Sequence, residues 1–361
     1  MDLQFLRPLY EGDEPVASVH LDTSRGVHDA DKQIELRLRA ACRSLADQGA
    51  DEATLAALEE AAGGAPGVPG PQGEALFASD GRLLGAHTMA EPPATDHSVL
   101  SPVPDPLPLV IDRDHQLPHV VAVVDREGAD VDGFPAAAHE PSFRRTFNGS
   151  TLHITRVRAG REAHASYHRR SVNLWTENTA QVADDIRAAA SDVDAAVIVI
   201  AGDPKAVGLL REHLADRPPT GRIVYVEGGR GDEDAVRASV DAAMTEAMEA
   251  SHRRVLDELD AQLTGGRALQ GIPAVKEALA EGRVETLLMA RDRSADPLLL
   301  ASRRDPKVLA TDRAAFGDDP TVFEAPAGML LLRSAVLGDA GFTELLPPTR
   351  CTDGVAALLR Y

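Results

Sequence analysis

The sequence is poor in sulfur, in aromatic rings and in positive charge. Its 361 residues hold two cysteines, Cys42 and Cys351, too far apart for a Cys-x-x-Cys metal or redox pair and too few for a disulfide-built extracellular scaffold. Each is expected as a small buried apolar residue. Aromatics are 4% of the chain against 43% hydrophobic residues in all, so the cores must be assembled from Val, Leu, Ile and Ala. Lys and Arg total 37 against 57 Asp and Glu. The resulting formal charge of −20 favours solubility and excludes general polyanion binding by the whole surface, so any nucleic-acid contact must be local. No stretch approaches the roughly 18 apolar residues of a membrane span. The opening MDLQFLRPLYEGDEP lacks the basic start and apolar run of a signal peptide. A soluble cytoplasmic protein with no membrane or DNA partner is the expectation.

Catalytic and phosphate-cradling motifs are missing as well. There is no GxSxG, HExxH, GxxxxGK[ST] or strand-borne GxGxxG. Gly228-Gly229-Arg230-Gly231 reads as a helix-entry turn, and Gly202 follows a strand where backbone could approach an anion. The pairs Asp112/Asp114, Asp130/Asp132 and Asp192/Asp194 are candidate metal carboxylates. Without histidine at ligand spacing, they read as solvated strand edges or turns. No metal and no cofactor are expected. There is no period of 20–50 residues and no sustained heptad.

What stands out is one stretch, Thr151 to Gln181. Between Arg144 and Arg170 the chain has seven arginines (144, 145, 156, 158, 161, 169 and 170) and a single acid, Glu162; His153, His164 and His168 share the span. It reads as strand, basic loop, then a helix from Asn178 to Ala190. A basic tip on an acidic chain suits phosphate contacts, and the competing reading is a solvated loop. Trp175, the single tryptophan, stands where the loop enters the helix. It could stack on a base or anchor a core or interface.

Length and pattern suggest two or three domains. The first, 1–112, has a strand at 14–24, a helix with Ile34, Leu36, Leu38, Ala41, Cys42 and Leu45 on one stripe, and a second helix stopped at Gly63-Gly64. A Gly/Pro loop at 64–73, a hairpin around Ser79-Asp80-Gly81 and a proline-rich irregular run complete it. The second, 113–222, has strands at 120–125 and 195–200, the latter buried on both faces, and a helix opening at Pro204. The third, 223–361, has a strand at 222–226 leading into it and a long helix 232–263. A short helix 271–280 and a strand 284–290 follow, and Leu330–Leu337 is apolar. The class is α/β and α+β, with mixed sheets flanked by helices.

The segment GIPAVKEALAEGRVETLLMARD (271–292) resembles the C-terminal domain of archaeo-eukaryotic peptide chain release factors and their Pelota relatives. VVDREGADVDGF (123–134) and the strand-loop-helix-strand order after it resemble their central domain. ASVHLDTSR (17–25) is similar to the N-terminal domain of the bacterial branch. Together with the ending TDGVAALLRY, it points to the actinobacterial, Balon-type ribosome hibernation factors. The resemblance implies a three-domain release-factor-like architecture.

The same resemblance predicts a Gly-Gly-Gln before the central-domain helix, where the glutamine backbone helps water attack peptidyl-tRNA. Here the loop reads RAGREAHASYHRRSVNLW, with no such motif, and Gln181 is already helical. The implied protein is a non-hydrolytic stress-response translation factor in the ribosomal A site and peptidyl-transferase centre. Arg156, Arg158, Arg161, His164, His168, Arg169, Arg170 and Trp175 would be its rRNA contacts. An elongation factor Tu-type GTPase is an implied partner of the C-terminal domain. Two rivals stand beside it: a peptidyl-tRNA hydrolase or rescue factor that places water with another residue, and a stress protein that keeps the fold without the ribosome.

Overall fold

The computed structural model describes residues 1–26, 29–64, 70–125, 128–136, 142–148, 178–229, 233–347 and 351–361. Contacts divide the chain into two compact units, residues 1–115 with 251–361, and residues 116–250.

The chain opens with a 3-10 turn, Gln4–Tyr10. It continues through β1 (Val16–Asp22), α1 (Ala30–Asp47), α2 (Glu52–Ala61), the hairpin β2 (Gly73–Ser79) and β3 (Arg82–Met89), β4 (His97–Ser101) and α3 (Leu107–His115). The strands pair antiparallel in the order β3-β2-β1-β4. Period-two alternation assigns the faces of the sheet. Ala17, Val19 and Leu21 share a core with Leu38, Ala41, Cys42 and Leu45 of α1 and Leu58 of α2, whereas Val16, Ala75 and Phe77 join another core. Asp51 caps α2, its carboxylate accepting the Thr54 N–H at 2.9 Å. β4 and α3 lie in the run expected to be irregular. Prolines at 102, 104, 106 and 108 surround them and hide two short elements that only packing makes regular.

Residues 116–250 build a five-stranded sheet. Its strands are β5 (His119–Val124), β6 (Gly128–Phe134), β7 (Phe143–Asn148), β8 (Val197–Gly202) and β9 (Arg222–Tyr225), ordered β7-β6-β5-β8-β9. β7-β6-β5 is an antiparallel meander, while β5, β8 and β9 are parallel. The helix described over 178–192 (α4) and α5 (Pro204–Asp216) bury Val182, Ile186, Leu210 and Leu214 against Ile198 and Ile200. Val197 and Val199 point the other way, onto Ala243 and Ala247 of α6 (Glu233–Gly265). β8 is thus covered on both faces, as its unbroken apolar run predicts.

The remaining elements are β10 (Ala268–Gln270), α7 (Ile272–Ala280), β11 (Val284–Met289), β12 (Leu298–Ser302), β13 (Leu309–Ala310), β14 (Val322–Pro326), α8 (Ala327–Leu337), β15 (Gly341–Glu344) and β16 (Val355–Leu359). They form a mixed sheet, β10-β16-β11-β15, and a small one, β13-β12-β14. One face of the mixed sheet meets Val255, Leu256 and Leu259 of α6. The other joins α7 and α8 in a core that also takes in Leu3, Leu6, Leu9, Phe77, Leu109 and Ile111. Both sheets of mixed direction are flanked by helices, the expected fold class. The expected division at 112/113 falls within α3, and that at 222/223 falls within β9.

Candidate nucleic-acid interface

The basic stretch is rooted in the 116–250 unit. The chain leaves the sheet at the end of β7, and the described residues resume at α4. Arg156, Arg158, Arg161, His164, His168, Arg169, Arg170 and Trp175 lie outside the described residues, as does the strand expected at 151–158. The first two arginines of the run are described, and both are paired. Arg144 sits opposite Asp132 in the β6-β7 register and donates to it from Nε at 2.9 Å and Nη2 at 3.4 Å. Arg145 pairs with Asp185, a carboxylate of α4 whose side chain is 6% exposed, and lies 5.5 Å from the Phe143 ring centre. Gln181 on the preceding turn also donates to Asp185, at 3.4 Å, and is helical as expected. The root of the basic stretch is therefore locally neutralised, and the charge excess begins after β7.

The carboxyl ends of the parallel strands lie beside that root. Val124, Asp125, Gly128, Phe147, Asn178 and Thr179 line a hollow there. Asp203 caps α5, its carboxylate accepting from the N–H groups of Lys205 and Ala206 at 3.0 and 3.2 Å. Its own N–H donates to the Val124 carbonyl at 3.0 Å, tying β8 to β5. Gly202 has a strand-packing reason to be glycine. Its φ is +145°, and a Cβ there would lie 1.9 Å from the Val124 carbonyl oxygen. The anion approach suggested by sequence is not needed to explain it.

The acidic pairs require one correction. Asp130 and Asp132 lie partly exposed on β6, and Asp192 and Asp194 are exposed at the end of α4, as expected of strand-edge and turn residues. Asp112 and Asp114 instead lie on α3. Asp112 Oδ1 accepts from the N–H groups of Ala90 and Glu91 at 2.9 and 3.2 Å, and burial pushes its carboxyl up to about 6. Asp114 is buried, 2.8 Å from His252 Nε2, and accepts the Glu344 N–H at 2.8 Å. Glu344 in turn meets His115 Nε2 at 2.6 Å and Arg291 Nε at 3.1 Å. Burial raises the Glu344 carboxyl, but His115 and Arg291 outweigh it and hold the group below its ordinary range. Sequence carries no sign of this network, because Asp114 and His252 are 138 positions apart. Among the described residues, no group of three or more His, Cys, Asp or Glu side chains is placed to hold a metal.

Residues 118–265 match the family described as Bacterial archaeo-eukaryotic release factor family 2. The match covers 148 of the 361 residues, less than half of the chain. The match takes in the whole five-stranded sheet, the basic stretch and all of α6, and it ends before the 271–292 segment in which the sequence resemblance is clearest.

No curated protein matches. Among solved structures, the chain is similar to archaeal Pelota in a model of ribosome-bound Pelota and ABCE1. That pair is 15% identical, covers 100% of this chain and 95% of the other, and has a TM-score of 0.41. It is also similar to Dom34 of S. cerevisiae, a translation termination-like factor involved in RNA quality control that interacts with Hbs1, at 11% identity, 80% of each chain and a TM-score of 0.40. A third is the archaeal termination factor aRF1, at 15% identity, 99% and 96% coverage and a TM-score of 0.24. At scores this low the likenesses carry no argument about function. Among the described residues, no helix is long and apolar enough to cross a membrane.

Proposed function

We propose that this chain is a ribosome-binding translation factor of the release-factor type. It presents residues 151–177 to ribosomal RNA in the A site and peptidyl-transferase centre, without hydrolysing peptidyl-tRNA, and so acts as a hibernation factor under stress. One observation carries the reading. Within the family-matched part, five arginines and three histidines are concentrated between β7 and α4, in a chain of net charge −20, and no Gly-Gly-Gln lies among them. Ion pairing of Arg144 and Arg145 supports it, because the two root arginines already have protein acids. Arg156, Arg158, Arg161, Arg169 and Arg170 would meet phosphates, and His164, His168 and Trp175 unpaired bases. An elongation factor Tu-type GTPase is the protein partner in this reading.

Co-sedimentation with vacant 70S ribosomes across a salt series tests it. The double substitution Arg169→Glu/Arg170→Glu is expected to abolish binding at moderate salt and to lower the log-log salt slope by about two, one for each phosphate no longer neutralised. Unchanged co-sedimentation would sink the assignment of the basic stretch. Peptide release from loaded peptidyl-tRNA by the wild-type chain would replace this reading with the hydrolase.

A further inference from the structure

The 1–115/251–361 unit holds two arginines in places that disfavour charge. Arg333 is halfway along α8, 7% exposed, among Leu330, Leu331, Leu332, Ala335 and Val336. Its Nη1 and Nη2 both donate to one acceptor, the Ser302 carbonyl, at 3.2 and 3.3 Å, and no carboxylate pairs with it among the described residues. Arg303, just after β12, donates to the Gly12 and Pro102 carbonyls at 3.3 and 3.1 Å. Its nearest acid is Asp13, at 3.8 Å, with a side chain 84% exposed. The two guanidinium carbons lie 5.0 and 5.6 Å from the centre of the same Phe323 ring. Among the described residues, the Tyr10 hydroxyl is sealed from solvent with no hydrogen-bond partner, and it feels the charges of Asp105 and, less strongly, Arg333. Burial lowers the pKa of both arginines.

A buried charge is normally paired, and a buried hydroxyl is normally bonded. Phe323 offsets part of the cost through its ring face but offers no acceptor for the N–H groups. Asp105 acts on the Tyr10 hydroxyl, and the acids that act on Arg303, Asp13 and Glu14, lie on an exposed strap, 11–15, whose Gly12 carbonyl Arg303 holds. The Asp13 carboxylate lies 3.8 Å from Arg303 Nη1, beyond hydrogen-bond length. Two guanidinium forks and a hydroxyl call for an acceptor with more oxygens and more charge than one carboxylate.

We propose that Arg303, Arg333 and the Tyr10 hydroxyl form a site for a phosphate group, with the acidic strap 11–15 standing over it as a displaceable stand-in. The phosphate is either free or part of an RNA backbone. The site shares no residue with the 151–177 stretch, so its failure and that of the ribosome reading are separable.

The test uses the full chain. Inorganic phosphate is titrated at constant ionic strength while the melting temperature is followed, and a short single-stranded RNA is titrated by anisotropy with and without competing phosphate. A saturable rise in melting temperature is expected. Arg303→Gln weakens it about tenfold or more, Tyr10→Phe by about threefold to tenfold, and Asp13→Asn/Glu14→Gln strengthens it. RNA binding that phosphate displaces and Arg303→Gln reduces identifies RNA as the source; saturable phosphate binding without that displacement identifies the free anion. The proposal is overturned if phosphate gives no saturable effect and displaces no RNA. It is equally overturned if Tyr10→Phe and Arg303→Gln, with native circular dichroism, respond as the wild type does; the arginines then only stack on Phe323.

Discussion

Asp112 binds its proton more tightly folded than unfolded. Its two backbone donors both reach Oδ1, so an asparagine keeps them while removing the charge. Because the folded group sits at about 6 rather than at its ordinary 3.8, its stabilising protonation is fully present below about pH 3.8 and is lost as pH rises through about 6. Asp112→Asn is therefore expected to match the wild type near pH 4 and to exceed it at pH 8 by on the order of 2 kcal/mol. Urea denaturation at both pH values checks this, and a difference independent of pH would contradict it. The position was visible in sequence only as half of an acidic pair. Spacing said carboxylate, and spacing cannot report which carboxylates a helix turns inward.

At the level of elements, the strands and helices with long periodic patterns are legible in the sequence: α1, α6, α7, β5 and β8 stand where their apolar spacing places them. β4, α3 and β7 are not. β4 and α3 are short and framed by prolines, and β7, FRRTFN, carries two arginines on a strand that the neighbouring Asp132 and Asp185 make tolerable. Their regularity comes from partners distant in sequence, which propensity does not encode. The join between β5 and β8 rests on the absence of a side chain at Gly202. Gly202→Ala places a Cβ against the Val124 carbonyl and forces a residue with a side chain to φ +145°. The two penalties together are expected to exceed about 3 kcal/mol. Thermal unfolding of the purified variant measures it; a loss under about 1 kcal/mol would mean that the strand ends part easily.

For the molecule as a whole, the largest core joins Leu3, Leu6, Leu9, Phe77 and Ile111 to Val275, Leu287, Leu331, Phe342 and Ala357. Residues 1–115 alone would expose that apolar face. Expressed as a fragment, they are expected to show no cooperative thermal transition, and a sharp transition in calorimetry would establish the first part as a domain in its own right. Composition and periodicity by themselves determined the aliphatic cores, the doubly covered β8, the mixed α/β class and the place of the basic stretch ahead of a helix. Each of these depends on residues within one or two turns of each other. Only the tertiary structure decided that Arg144 and Arg145 are neutralised, that Asp114 meets His252, that Gly202 serves strand packing, and that Arg333 is buried against a lone carbonyl. Those outcomes are set by which distant segments share a core, and the free energy of burying a charge depends on that neighbourhood rather than on the residue's place in the chain.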